Sequence, residues 1–268
     1  MKNPGIGKIL LLIMVIVIFA LVLLPVVLIF WISFFSTSFI AFPPPGYSLK
    51  WYAALLSQSG FVDAAILSTE VALISMVFSV IIGLMASLAL VNIRRGREAL
   101  QTIFLSPMTV PSIVTGIAVY VAFTRLERIL HLDLVPSLWL MALGHILSSI
   151  PTSIRLITSG LAAVNRNLEE AALNLGATRF KAFTRVVFPQ IRPTLMATAI
   201  FAFIFSLGNL EISLMLVSPG HNMLPIETLN YVLWNMDPTI AALSSVQIVF
   251  IMILLFTVDR LIGLSVVF

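Results

Sequence analysis

The sequence predicts an all-α membrane protein with six transmembrane helices, and three observations predict it. The first is composition: 268 residues, 60% hydrophobic and 10% charged, against roughly 25% charged in a soluble domain. One core cannot hide that much apolar surface, so lipid is the solvent. The second is a set of apolar stretches at about 9–32, 64–91, 100–123, 134–155, 192–217 and 240–262. Each is long enough to cross a ~30 Å hydrocarbon layer at about 20 residues. They are continuously apolar rather than alternating, which selects helices over barrel strands. The third is charge placement. With the N-terminus inside, every Lys and Arg except Lys50, Arg125 and Arg128 falls on the cytoplasmic side, and both termini lie there. The pI near 9.8 is then a topology signal and does not imply nucleic acid.

Taken in order, Lys2 and Lys8 followed by Ile9 to Trp31 imitate a signal peptide. A signal h-region runs to only about 7–15 residues, so this stretch is expected to be a retained first span. The first outer loop carries Pro43-Pro44-Pro45-Gly46, which cannot extend a helix. Leu49-Lys50-Trp51-Tyr52 then suits a segment lying at the headgroups. The second span carries Ser79, Gly83 and Ser87, a small-residue face that lets helices approach closely within the chain or between subunits. Arg94-Arg95-Gly96-Arg97 is a short cytoplasmic turn, and Pro107 and Pro111 favour a kink or break in the third span. The connection at about 156–191 is the longest polar stretch. The last outer loop, about 218–239, holds Pro219-Gly220, Pro225 and Asp237-Pro238, all turn chemistry. No internal repeat is evident, and residues 1–268 read as one transmembrane domain.

The 156–191 connection has internal logic. Asn167 can cap a helix, with Glu170 three residues later as its capping-box partner. Leu168, Ala171, Ala172 and Leu175 share one apolar face, and Gly176 stops the helix. Thr178 can cap a second helix with Phe180, Phe183 and Val187 along one side, and Pro189 stands where the chain enters the fifth span. An exposed apolar face at a membrane surface needs a cover: the chain's own helix ends, lipid, or another protein.

Within this connection, Glu170-Ala171-Ala172, three residues, Gly176, nine residues, Val186, one residue, Phe188-Pro189 resembles the EAA loop of ATP-driven importers, with Val and Phe where Ile and Leu are usual. Leu49-Lys50-Trp51-Tyr52, Ser106-Pro107 with Pro111, and Ser218-Pro219-Gly220 through Leu224-Pro225 and Asp237-Pro238 extend the likeness over nearly the whole chain. The chain resembles the permease subunits of binding-protein-dependent ABC importers, and within them the spermidine/putrescine group. The resemblance implies a type I importer (MetI-like) fold in a bacterial inner membrane. It also implies a second permease subunit, often a different one, a cytoplasmic ATPase dimer that uses ATP and Mg, and an extracytoplasmic binding protein. This chain itself would bind no cofactor. The residues carrying ATPase coupling would be Glu169, Glu170, Ala171, Ala172, Gly176, Phe180 and Pro189.

Glu211 and Glu70 fall inside predicted spans, where an ionisable group costs ~2.5–3.5 kcal/mol and so faces a cavity or a partner. With Asn209 they are candidates for an acid-lined path taking a cationic or amine-bearing solute such as a polyamine. The polyamine group tends to carry adjacent acids after an F-x-x-S-like stretch in the fifth span. Here Ser206-Leu207-Gly208-Asn209-Leu210-Glu211 keeps only one. The same importer class with another small solute, such as an amino-acid derivative or a phosphonate, is the alternative. A stand-alone secondary transporter would want repeats and more charged groups in the spans. An enzyme would want a nucleophile–base pair or a metal cluster. The chain has no cysteine, and His131, His145 and His221 are too scattered for a metal motif, so no catalytic or metal site is expected.

Overall fold

The computed structural model describes residues 6–262 apart from 40, 94, 132–134, 136, 218 and 219. Among the described residues the backbone is helical, with one isolated antiparallel bridge between Phe35 and Tyr47. Five helices are long and apolar enough to cross a membrane, and a bent helix pair, Arg97–Thr109 with Ser112–Leu130, brings the number to six if the pair is one span. The chain divides into two compact units: residues up to 62 with 228–250, and residues 63–227 with those from 251 onward.

In the first unit, α1 (Ile6–Ile32) leaves every side chain from 7 to 25 exposed, as expected of a helix whose solvent is lipid. The proline loop after it folds back: Ser36 N–H donates to Gly46 O at 3.0 Å and Ser48 N–H to Phe34 O at 2.7 Å. The Lys50-Trp51-Tyr52 segment opens a short helix, α2 (Lys50–Ser57). Trp51 is buried there, and its indole N–H donates to Phe35 O at 2.6 Å. The tryptophan therefore anchors the segment to the loop of its own chain.

In the second unit, α3 (Ser59–Asn92) crosses α6 (Leu138–Ala162) along the small-residue face. Ser79 and Ser87 are fully buried. Ser87 Oγ donates to Ile154 O and accepts from Thr158 Oγ1, both at 3.0 Å. A Cβ on Gly83 would lie 2.9 Å from Ser153 Cβ. The small face is thus used within the chain, because it brings two backbones close enough for hydroxyls to bond across them.

The prolines break the third span. α4 (Arg97–Leu105) runs into a 3-10 turn at Ser106–Thr109, and α5 (Ser112–Leu130) leaves at 95° after Pro111. The connection at about 218–239 holds more order than its turn residues suggest. It contains α11 (Leu224–Trp234), whose Leu224 N–H donates to Ser68 Oγ at 2.7 Å. Asp237 caps α12 (Thr239–Ile262) by accepting from Thr239 N–H at 2.9 Å, so Asp237-Pro238 is a helix start. Residues 218 and 219 of the motif there lie outside the described residues.

Candidate coupling site

The long connection is shorter than its polarity suggests. α6 continues to Ala162, and the fifth span starts at Arg179 rather than 192. Between them stands α7 (Arg166–Asn174). Its cap is Asn165, not Asn167: Asn165 Oδ1 accepts from Asn167 N–H at 3.1 Å. The two-residue shift takes Glu170 out of a capping-box position, and the expectation failed because either Asn can cap.

The stop is as expected. Gly176 has φ +86, its N–H donates to Leu173 O at 2.9 Å, and Ala177 N–H donates to Ala172 O at 3.0 Å. Those two bonds define a Schellman motif, which needs the left-handed residue that glycine supplies. Thr178 then caps α8 (Arg179–Ala182), accepting from Lys181 N–H at 3.3 Å. A π-helical turn, Phe183–Val187, leads into α9 (Phe188–Leu207). Pro189 has no N–H to complete a normal ladder, and the looser π turn just before it absorbs the mismatch.

The second helix does not present one continuous apolar side. Ala182 and Val187 are buried, with Val187 and partly buried Phe183 in a cluster around Ile157, Leu161, Ile191 and Leu195. Phe180 instead stands out, 76% exposed, beside Leu175 at 88% and Leu168 at 51%. Arg166 reaches back to Val91 O at 3.5 Å, at the C-terminal end of α3, where a cation suits the helix dipole. Glu170 and Ala171 are exposed; Glu169 and Ala172 are half-buried. Neither glutamate bonds to another described residue. The result is a small helical projection, fastened to the spans by one face and showing leucine, phenylalanine and carboxylate on the other.

The candidate path residues lie elsewhere. α9 stops at Gly208, and α10 (Leu210–Leu216) restarts the fifth span, capped by Asn209 Oδ1 accepting from Ile212 N–H at 3.1 Å. Asn209 therefore has a structural task. Glu211 is exposed in the first turn of α10 and Glu70 is exposed on α3. The structure places both on helices of the second unit but does not bring their carboxylates into contact. His145, which the sequence offers only as one of three histidines too scattered for a metal motif, is 1% exposed and lies between Ser206 and Ser213. A histidine and two serines far apart in sequence gave no periodic signal.

Together these features define a multi-span helical membrane protein carrying a helical projection between two of its spans. Residues 79–265 match the model of the binding-protein-dependent transport system inner membrane component family. The chain belongs to that family: it is a permease subunit of an ABC importer, and not an enzyme. It is 28% identical over 202 residues, 75% of this chain and 72% of the relative, to the putrescine transport system permease protein PotI of Escherichia coli K12. It is 26% identical over 233 residues to the spermidine/putrescine transport system permease protein PotC of the same organism, covering 87% and 86% of the two chains. The crystal structure of a bacterial ABC transporter that imports the acidic polysaccharide alginate superposes with a TM-score of 0.73 at 17% identity, over 95% of this chain and 96% of that one. That likeness concerns the fold alone.

Proposed function

We propose that this permease forms half of the substrate path and takes its drive from a cytoplasmic ATPase that seats on α7 and α8. The observation that carries the reading is the pair Leu175 and Phe180, 88% and 76% exposed on a projection that is held to its own chain through buried Ala182 and Val187. Large apolar side chains held out rigidly at a turn are anchors for a protein partner. The distribution of basic residues supports a cytoplasmic position for this projection and both termini. The continuous helix from Arg179 to Leu207 is 29 residues, roughly 43 Å at 1.5 Å per residue. It connects the projection to the break at Gly208-Asn209. A push on α7 is thus delivered next to Glu211, and closure of the ATPase dimer on ATP and Mg favours one of two pore states. A second permease, most simply a different one, supplies the other half, and an extracytoplasmic binding protein delivers the cargo.

The cargo we propose is a small amine-bearing or cationic solute such as a polyamine, supported by the two relatives and by Glu211. A second reading, another small organic solute, is favoured by one observation: the fifth span has a single acid, and Asn209 is committed to capping α10. Co-purification with the ATPase of the same importer tests the coupling. Glu170→Arg and Gly176→Glu should each reduce recovered ATPase and uptake together, and an unchanged complex with unchanged uptake rejects the docking role. Ligand screening of the binding protein decides the cargo.

A further inference from the structure

We infer that His145 is a positioning residue for the fifth span. Its imidazole, as the Nε2–H tautomer, latches α10 to the end of α9 and so fixes where Asn209 and Glu211 stand. The inference rests on the reading that those two residues border the transport path.

The distances point to one arrangement of the protons. His145 projects from α6, with Nδ1 3.0 Å from Ser206 Oγ and Nε2 3.5 Å from Ser213 Oγ. Ser206 lies in the last turn of α9 and Ser213 in α10, so the ring touches both sides of the break. The Ser213 hydroxyl has one proton to give. Its oxygen lies 2.6 Å from Asn209 O, against 3.4 Å from Met223 Sδ, so the proton goes to the Asn209 carbonyl. Ser213 must then accept from His145, which puts the hydrogen on Nε2 and leaves Nδ1 bare to accept from Ser206. A relay results: Ser206 O–H to Nδ1, Nε2–H to Ser213, Ser213 O–H to Asn209 O. It ends on the residue that caps α10 and stands two positions before Glu211.

Packing complements the relay. Ile212 and Leu216 of α10 are buried with Val71, Val119, Leu140, Met141 and Met223. Leu216 and Ile212 sit where a Cβ on Gly144, the neighbour of His145, would otherwise be. Apolar contact holds α10 against α6, but directional bonds on both sides of the break are what fix its rotation. The three polar groups are each 1% exposed or less, so losing one leaves its partner buried without a bond.

The chain contains no cysteine, which permits single-cysteine probes in the full chain, assembled in native membranes. The labelling rate of Glu211→Cys by a small methanethiosulfonate is compared with that of Glu70→Cys on α3. His145→Leu should change the rate at position 211 about fivefold or more, the scale of losing one hydrogen bond that sets which orientation of α10 is populated. Position 70 should stay within about twofold, and His145→Gln, whose amide can reach Ser213, should return position 211 toward the parent rate. Ser213→Ala, a smaller deletion, should reproduce the His145→Leu effect. An unchanged rate at 211, an equal change at 70, or no recovery with Gln overturns the proposal. Solid-state 15N spectra of histidine-labelled permease provide a second test: the signal lost in His145→Asn should be a neutral Nε2–H ring, and an Nδ1–H ring or an imidazolium overturns it. Neither readout needs substrate or ATPase, so failure here is separable from failure of the coupling reading.

Discussion

Gly176→Ala is the most informative single substitution in the projection. Gly176 sits at φ +86 with open space where a Cβ would be built. The change therefore adds no clash, and its whole effect is conformational. Holding an alanine in the left-handed region costs about 1–2 kcal/mol, which lowers the population with α7 and α8 correctly set by roughly 5–30-fold. Asparagine tolerates this region better, and a β-branched side chain tolerates it worst. The expected order of ATPase affinity, measured by titrating purified ATPase onto permease in nanodiscs, is Gly176, then Asn, then Ala, then Val. Coupled uptake should follow the same order. Alanine equal to glycine would refute the role of the Schellman turn. Asparagine worse than alanine would show that side-chain size at the interface, not the dihedral, sets the loss.

Three further outcomes are expected. Gly83→Val should destabilise the permease by about 1–3 kcal/mol through overpacking, read as a lower unfolding midpoint in detergent, because its Cβ would lie 2.9 Å from Ser153 Cβ and 3.2 Å from the Ser153 carbonyl carbon. Ile191→Ala should cost about 2–5 kcal/mol from the cavity it opens, since Ile191 is 1% exposed in the cluster beneath the projection. Its thermal midpoint should fall, and ATPase coupling should weaken with it. If the cargo is a cation, Glu211→Gln should reduce putrescine uptake while leaving ATPase binding at the parent level; equal uptake would remove Glu211 from the path.

Much of this architecture was legible in the residues. Continuous apolar runs located the five long apolar helices and the bent pair among them, because in lipid the backbone must satisfy itself and helix is the one economical solution. Pro107 and Pro111 announced the break in the third span, and Gly176 and Thr178 announced the turn and the second cap. What failed did so for physical reasons. Helix ends were misplaced because polar residues such as Arg155 and Arg179 continue helices past the apolar stretch. α11 went unread because Pro225, a turn signal in general, is tolerated in a helix's first turn. The apolar side expected for α8 split, because the π turn rotates Phe183 and Val187 toward the core and leaves Phe180 outside. The break at Gly208-Asn209 carries only a local signal, a glycine followed by a capping asparagine, inside a continuous apolar run, whereas the His145 contacts depend on three-dimensional proximity that no spacing encodes.

Site-directed crosslinking tests most directly whether α7 and α8 receive the ATPase. Leu175→Cys, at a position 88% exposed, is compared with Met236→Cys, at a position 95% exposed beyond α11, each as the single cysteine in the assembled importer. A short bifunctional reagent should join position 175 to the ATPase, with a yield that changes when ATP and Mg are added, and should not join position 236 to it. Absence of an ATPase crosslink at 175, or an equal one at 236, would contradict the account.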